Sequence, residues 1–222
     1  MDIRQAIKER RSIRKFKPEQ IPEGMLGEIL DEARWSPSWG NTQPWEFYVV
    51  TGEPLKKIKA ANCRKLEEGG QSLPDIKMPA SWPEQLKKRY NAVGRTTLDA
   101  LGLQREDKAG RQEHTRSMFR LFDAPCLIVV CVDKNSSSVE YALLDVGIIT
   151  QTLCLLAHDR GLGTIIMASA VNFPVSLKEV LPDAENKLIA VGIALGYPDM
   201  EAPINNFVRE RASLNEFVKL VK

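Results

Sequence analysis

The sequence predicts an α+β fold, a small sheet wrapped by helices, and three observations predict it. Residues 125–132 form a continuous apolar run, as expected of a strand covered on both faces. Residues 139–159 repeat Val139, Ala142, Val146, Ile149, Leu153 and Leu156 at alternating steps of three and four, the mark of one long helix. The other strand-like segments, 46–51, 163–167 and 188–195, are set apart by helical stretches.

Taken in order, residues 2–10 carry Ile3, Ala6 and Ile7 at helical spacing. A second helix over 23–34 has Met25, Leu26, Ile29, Leu30 and Ala33 on one face, with Pro22 at its start, where a missing N–H costs little. Residues 46–51 (EFYVVT) are aromatic and β-branched, hence a strand. Pro54 opens a helix to about residue 68. Residues 69–83 hold two glycines and three prolines without periodicity, and such long loops are usually functional or mobile. Two polar helices follow over 83–101 and 105–121. The helix over 139–159 also carries Leu144, Ile148 and Leu155 on its other sides, so it is expected to be buried all round, within one chain or against a second copy. Gly161 caps it. Strands over 163–167 and 188–195 flank a short helix at 175–180.

The 222 residues fit one domain with a real core. Net charge is +2, from 31 Lys and Arg against 29 Asp and Glu, too balanced to point to nucleic acid or membrane. No apolar run approaches the roughly 18 residues of a membrane span, and Met1 leads into a charged helix rather than a signal peptide, so the expected location is the cytoplasm. Cys63, Cys126, Cys131 and Cys154 are scattered, and the last three sit in apolar runs as core residues. With only His114 and His158 beside them, neither a metal site nor a nucleophilic triad is supported.

Two stretches carry candidate chemistry. Residues 36–45 (SPSWGNTQPW) spend two tryptophans, two prolines, Asn41 and Gln43 on a helix-to-strand junction. Fixed backbone, amide donors and acceptors, and flat apolar surface suit a shelf for a planar, polar-edged heterocycle, although a packed surface loop would read alike. Residues 10–16 (RRSIRKF) end the first helix with four cations and a hydroxyl. Arginine forks suit a phosphate dianion, and basic residues also suit a helix C-terminus.

Together with Asp145-Val146-Gly147, Gly161-Leu162-Gly163-Thr164, Gly196-Tyr197-Pro198 and Arg209-Glu210-Arg211, in that order, these stretches closely resemble the FMN-dependent nitroreductase family. The resemblance runs from about residue 3 to the C-terminus and is weak only over 62–122. Residues 198–207 look most like the branch of nitrobenzoate-type reductases. The resemblance implies a single FMN-binding domain over 1–222 with a small mixed central sheet. It further implies a homodimer with exchanged C-terminal segments and a variable helical lid over 62–122. It places Arg10 and Ser12 at the FMN phosphate, Arg11 beside them through its backbone, and Arg14 at the flavin pyrimidine edge. Pro37, Ser38 and Trp39 would lie against the ring, with Asn41 and Gln43 nearby. Met167, Ala168 and Ser169 would pass along a flavin edge, where many relatives have a glycine or an acidic residue. Arg211, and with it Arg209, would return to the phosphate. The implied reaction passes hydride from NADH or NADPH through flavin N5 to a nitroaromatic or quinone-like acceptor by a ping-pong mechanism, with no protein acid, base or nucleophile and so no catalytic side chain. A reductive dehalogenase of the same fold shares the RRS-x-R and P-S…P-W elements, and a non-enzymatic flavin carrier is the third reading.

Overall fold

A computed structural model describes residues 1–222. Seven helices surround one sheet: α1 Ile3–Glu9, α2 Glu23–Ala33, α3 Gly52–Glu67, α4 Glu84–Ala100, α5 Lys108–Phe119, α6 Val139–Asp159 and α7 Pro174–Lys178. The strands are β1 Trp45–Val50, β2 Cys126–Asp133, β3 Gly163–Met167 and β4 Lys187–Gly196, in the order β1-β2-β4-β3. All three strand pairs are antiparallel. The parallel part of the expected mixed sheet is reduced to one isolated bridge, Ser12 to Thr164.

Strand β2 explains the layering. Its residues alternate between two cores because successive side chains leave opposite faces of a strand. Leu127, Val129 and Cys131 join Leu55, Ile58 and Leu177 from α3 and α7. Ile128, Val130 and Val132 join Ile29, Ile149 and Leu153 from α2 and α6. Each such side chain contributes about 1.5–3 kcal/mol of transfer free energy on burial. Burial also pushes the Cys126 and Cys131 thiols up to about 12, which fits inert core residues.

Local chemistry sets the helix ends. The Asp2 carboxylate accepts from Arg4 N at 2.9 Å and caps α1. Helix α3 begins at Gly52 after Thr51, two residues ahead of Pro54. Helix α6 closes with Leu162 N donating to Ala157 O at 2.9 Å and Gly161 N to His158 O at 3.0 Å. Gly161 sits at φ +75°, the left-handed position this closure requires. The turn delivers the chain into β3.

Two expectations are refined. The single chain does not cover α6 on all sides: Tyr141, Leu144 and Ile148 are exposed, so the chain by itself does not supply the burial expected all round. By length and composition it is also apolar enough to cross a membrane, although here it packs on α2, β2 and β3. The long loop, in turn, is tied down. Leu73 N donates to Asn172 O at 3.1 Å. Asp75 accepts from Ile189 N at 2.9 Å and pairs with Lys178 at 3.1 Å. The register slip between Val130 and Cys131 falls opposite this point of β4.

Candidate functional site

The cationic segment runs antiparallel to the end of β4 and alongside β3. Ile13 N donates to Thr164 O at 2.9 Å, Lys17 N to Tyr197 O at 2.9 Å, and Asp199 N to Lys15 O at 3.1 Å. This approach depends on Gly163. A Cβ there would meet Ile13 Cγ1 at 2.6 Å and Pro198 Cβ at 3.1 Å. The second glycine of Gly161-Leu162-Gly163 therefore serves close packing of strand on segment.

Asn205, fully buried, locks the arrangement from the other side. Its Oδ1 accepts from Arg14 N at 2.7 Å, and its Nδ2 donates to Lys15 O and Asp199 O, each at 2.8 Å. The side chains of Arg11 and Arg14 then straddle the Phe207 ring, 5.4 and 5.7 Å from its centroid. Arg11 also donates to Phe207 O, and Arg14 to Ser12 O at 3.3 Å.

Two cavities flank the segment. One, of about 530 Å³, is lined by Lys8, Arg10, Arg11, Thr164 and Arg209, with His158 at its edge. The other, of about 510 Å³, is lined by Arg14, His114, Ser117, Arg120 and Phe122. The first is predominantly cationic, with Glu9 its one carboxylate. Lys8, Arg10, Arg11, Arg14, Arg209 and Arg211 form no ion pair with any carboxylate, whereas Arg89 and Arg116 each hold one and Arg120 and Arg160 two. Burial, then repulsion from Arg11, Arg211 and Arg10, pulls the Arg209 guanidinium below its ordinary value. Burial, then Arg11, does the same to Arg14. A cluster in which cations depress one another is a place where an anion is favoured. Thr164, 2% exposed beside the first cavity, has a buried hydroxyl without a hydrogen-bond partner.

Arg209 does more than the sequence suggested. It donates to Lys8 O, Glu9 O and Arg10 O, so it caps the C-terminal carbonyls of α1 while its charge faces the cavity. Arg211 is exposed and donates only to Glu210 O at 2.8 Å, outside the lining of the first cavity.

The shelf is rigid by construction. Gly40, Asn41 and Gln43 hold φ of +56°, +56° and +48°, and Ser38 Oγ accepts from Gln43 N at 2.9 Å. Left-handed Asn and Gln cost strain that the surrounding bonds must hold. Gln43 Nε2 donates to Asn41 O at 3.2 Å. The anchor is Asp145, a buried carboxylate on α6 that accepts from Trp39 N at 3.2 Å on both oxygens. The Trp39 ring, 66% exposed, lies 5.8 Å from Tyr141, and Pro37 is exposed beside it.

The structure thus gathers Arg10, Arg11, Ser12, Arg14 and Arg209 and keeps Pro37, Ser38, Trp39, Asn41 and Gln43 as a separate group. No hydrogen bond joins the two groups within the chain. From Asp145, which holds the shelf, to His158, at the cationic cavity, α6 rises about 20 Å. Along the strand end, Met167 is a core side chain, Ala168 is exposed and Ser169 half-buried, so Met167 can serve a ligand only through its backbone. Sequence reasoning did not name Asp145, Asn205, Phe207 or His114 as site residues, although Asp145 stood in the motif Asp145-Val146-Gly147 and Asn205 and Phe207 in the family-like segment 198–207.

A family model described as Nitroreductase family matches residues 7–197. The chain is 31% identical over 216 residues to 4-nitrobenzoate reductase of Pseudomonas putida, covering 97% of this chain and 94% of that protein. Among solved structures it is similar to the FMN and NADPH-dependent nitroreductase NfnB from Sphigopyxis sp. strain HMH. That match has a TM-score of 0.94 at 27% identity and covers 100% of both chains. It is also similar to the FMN-dependent nitroreductase NfnB from Mycobacterium smegmatis in complex with NADPH, at a TM-score of 0.91 and 27% identity, covering 99% and 97%.

Proposed function

This chain belongs to the nitroreductase family, and on that premise we propose that it is an FMN-dependent oxidoreductase carrying reducing equivalents from NAD(P)H to nitroaromatic acceptors. The finer reading is a ping-pong reaction in which quinone-like compounds also serve as acceptors, in the cytoplasm. The observation that carries it is the run of arginines without carboxylate partners, spanning two adjacent cavities. The donor set fits FMN: a cationic end for the phosphate, and a single cation, Arg14, at the second cavity for the ring.

FMN, when bound, supplies the hydride chemistry. The chain's own residues bind and orient. Arg10 and Arg209, with Arg11 and Ser12, would hold the phosphate, and Arg14 would face the pyrimidine edge. Asn205 and Phe207 set the direction of Arg14. The backbone of Met167, Ala168 and Ser169 would border the ring. No side chain is needed as acid, base or nucleophile.

The shelf needs a second copy to reach a flavin held in this way, since it stands about 20 Å off along α6. The proposed assembly is a homodimer in which one protomer's Pro37, Ser38, Trp39, Asn41 and Gln43 complete its partner's site. Three uncovered apolar sets support it: Tyr141, Leu144 and Ile148 on α6; Ile3 and Ile7 on α1; and Leu214, Phe217, Leu220 and Val221 in the tail. Arg211, exposed on that tail, would reach a phosphate only once the tail is seated. Residues 62–122, with the thinly buried α4, are the proposed substrate lid.

The test is the visible spectrum of the purified protein, with anaerobic addition of NADPH or NADH. Flavin bands that bleach on addition support the reading; a flavin that does not bleach makes the protein a carrier. Arg10→Ala should weaken FMN affinity about 10- to 100-fold, as loss of a hydrogen bond to a charged group costs about 1.5–3 kcal/mol. A protein that binds no FMN overturns the reading.

A further inference from the structure

His114 has no part in the scheme so far, yet it lies in the second cavity with Arg14. We propose that His114 is a proton-linked partner of Arg14: neutral while Arg14 faces it alone, and protonated from solvent when a negative charge is set against Arg14. The inference rests on the reading that places the redox group at Arg14.

Three features of the cavity carry it. The first is the wall that shelters the imidazole. Leu121, Phe122 and Asp123 hold φ of +59°, +52° and +60°, three successive left-handed residues without a glycine. Such strain persists only where the surrounding structure enforces it, and it marks functional sites. Its product is the Phe122 ring, 6.0 Å from the His114 ring. Ser117 Oγ, donating to His114 O at 2.7 Å, fixes the backbone beneath.

The second feature is the local charge. Lys15 and Arg14 face the cavity from the cationic segment, Glu113 from α5, and Arg120 and Asp123 from the strained turn. Arg120 is tied to Glu113 at 3.0 Å and to Asp123 at 3.3 Å, one cation between two carboxylates, and Lys59 also acts on Asp123. Lys15 is exposed to solvent screening. The end of α4 (Ala100, Leu101, Leu103) and the turn at 202–204 add no charge. Of these charges Arg14 is the one that acts on the imidazole, and it has no carboxylate partner. Burial first, and Arg14 second, hold His114 below its ordinary value.

The third is what reduction does. Two electrons from NAD(P)H leave negative charge at the edge that Arg14 faces. That charge offsets the repulsion and itself attracts a proton, so the His114 value rises. One proton passes from water to the imidazole, and the added negative charge and the added proton cancel, so the net charge of the cavity is the same after reduction as before. His114 acts through Arg14, and is a positioning residue for charge rather than a catalytic one.

The chain has only two histidines, so imidazole NMR can follow His114 directly, with His158→Gln assigning the other signal. The titration is run on FMN-loaded protein, oxidised and then reduced with dithionite. The expected result is a midpoint below the ordinary histidine value when oxidised, and a rise of one unit or more on reduction. Between the two midpoints, the flavin potential of the unmodified protein should fall with pH more steeply than that of His114→Gln, by about 30 mV per pH unit, one proton on a two-electron couple. Flavin absorbance confirms that the variant is loaded; should it fail to fold, the NMR titration decides alone. A His114 midpoint that does not move on reduction, or equal slopes in both proteins, overturns the inference and leaves the site reading intact. A protein that takes up no flavin overturns both.

Discussion

Asp145→Ala is expected to release the shelf loop while leaving the fold in place. Asp145 is 5% exposed, forms no ion pair, and accepts the Trp39 amide at 3.2 Å through both oxygens. A hydrogen bond to a charged group is worth about 1.5–3 kcal/mol, and the amide is partly reached by solvent, so about 2 kcal/mol of local stabilisation is lost. Against this, truncation removes a buried carboxylate that has no cation, which recovers desolvation free energy. The two effects act on different quantities. The local loss should speed hydrogen exchange of the Trp39 amide about 30-fold, since about 1.4 kcal/mol is a factor of ten. The global loss should be only about 1 kcal/mol, a fall in melting temperature of about 2–4 °C for a chain of this size. Asp145→Asn keeps an acceptor oxygen and should show less than half of the exchange effect. Amide exchange by NMR, with thermal unfolding beside it, separates the two. If Trp39 exchange in Asp145→Ala matched the unmodified protein, the anchoring argument would fail.

Two further outcomes are expected. Gly163→Ala should cost about 1–3 kcal/mol, because its Cβ meets Ile13 and Pro198 at 2.6–3.1 Å, and it should weaken FMN binding by moving the cationic segment; unchanged denaturant unfolding and affinity would contradict the packing account. Glu216, in the tail, is held by Arg89 first and then by the Ser213 amide and hydroxyl and Gln85, which bring its carboxyl from 4.5 down to about 2. A depressed carboxylate gives its stabilisation above its ordinary value and loses it as pH falls through the folded value, so the contact of tail with α4 should persist at pH 4 and fail toward pH 2. Carboxyl-carbon NMR would show that low midpoint, and Arg89→Ala should return it toward 4.5; a midpoint at 4.5 in the unmodified protein would refute the contact.

Much of the fold was legible because it is local. The periods of α2 and α6 and the apolar run of β2 follow from sequence spacing, and α6 ends at Asp159 as expected. What was not legible depends on residues far apart in the chain. Nothing near Trp39 announces that its amide needs a carboxylate 106 positions away. Nor does residues 69–83, read alone, show that Asp75 meets β4 at residue 189. The candidate site divides in the same way. Arg10, Ser12 and Arg14 are neighbours in sequence and were read together; Arg209 lines one cavity with Arg10 and Arg11, whereas Arg211, expected ahead of it, does not. The separation of the shelf from the cations could not be read, because it depends on the length of α6 between them.

The missing carboxylates around Arg10, Arg11, Arg14 and Arg209 have a consequence for the life of the chain. Folding brings these like charges together without internal compensation, so part of the free energy of the folded state is left to whatever anion the surroundings provide. Stability then varies with the concentration of a small molecule: a ligand present at one hundred times its dissociation constant adds about 2.7 kcal/mol by mass action. In a cell short of cofactor, the same polypeptide would populate open forms more often and be cleared sooner by proteases. The abundance of the protein would thus follow its cofactor supply without a dedicated sensor.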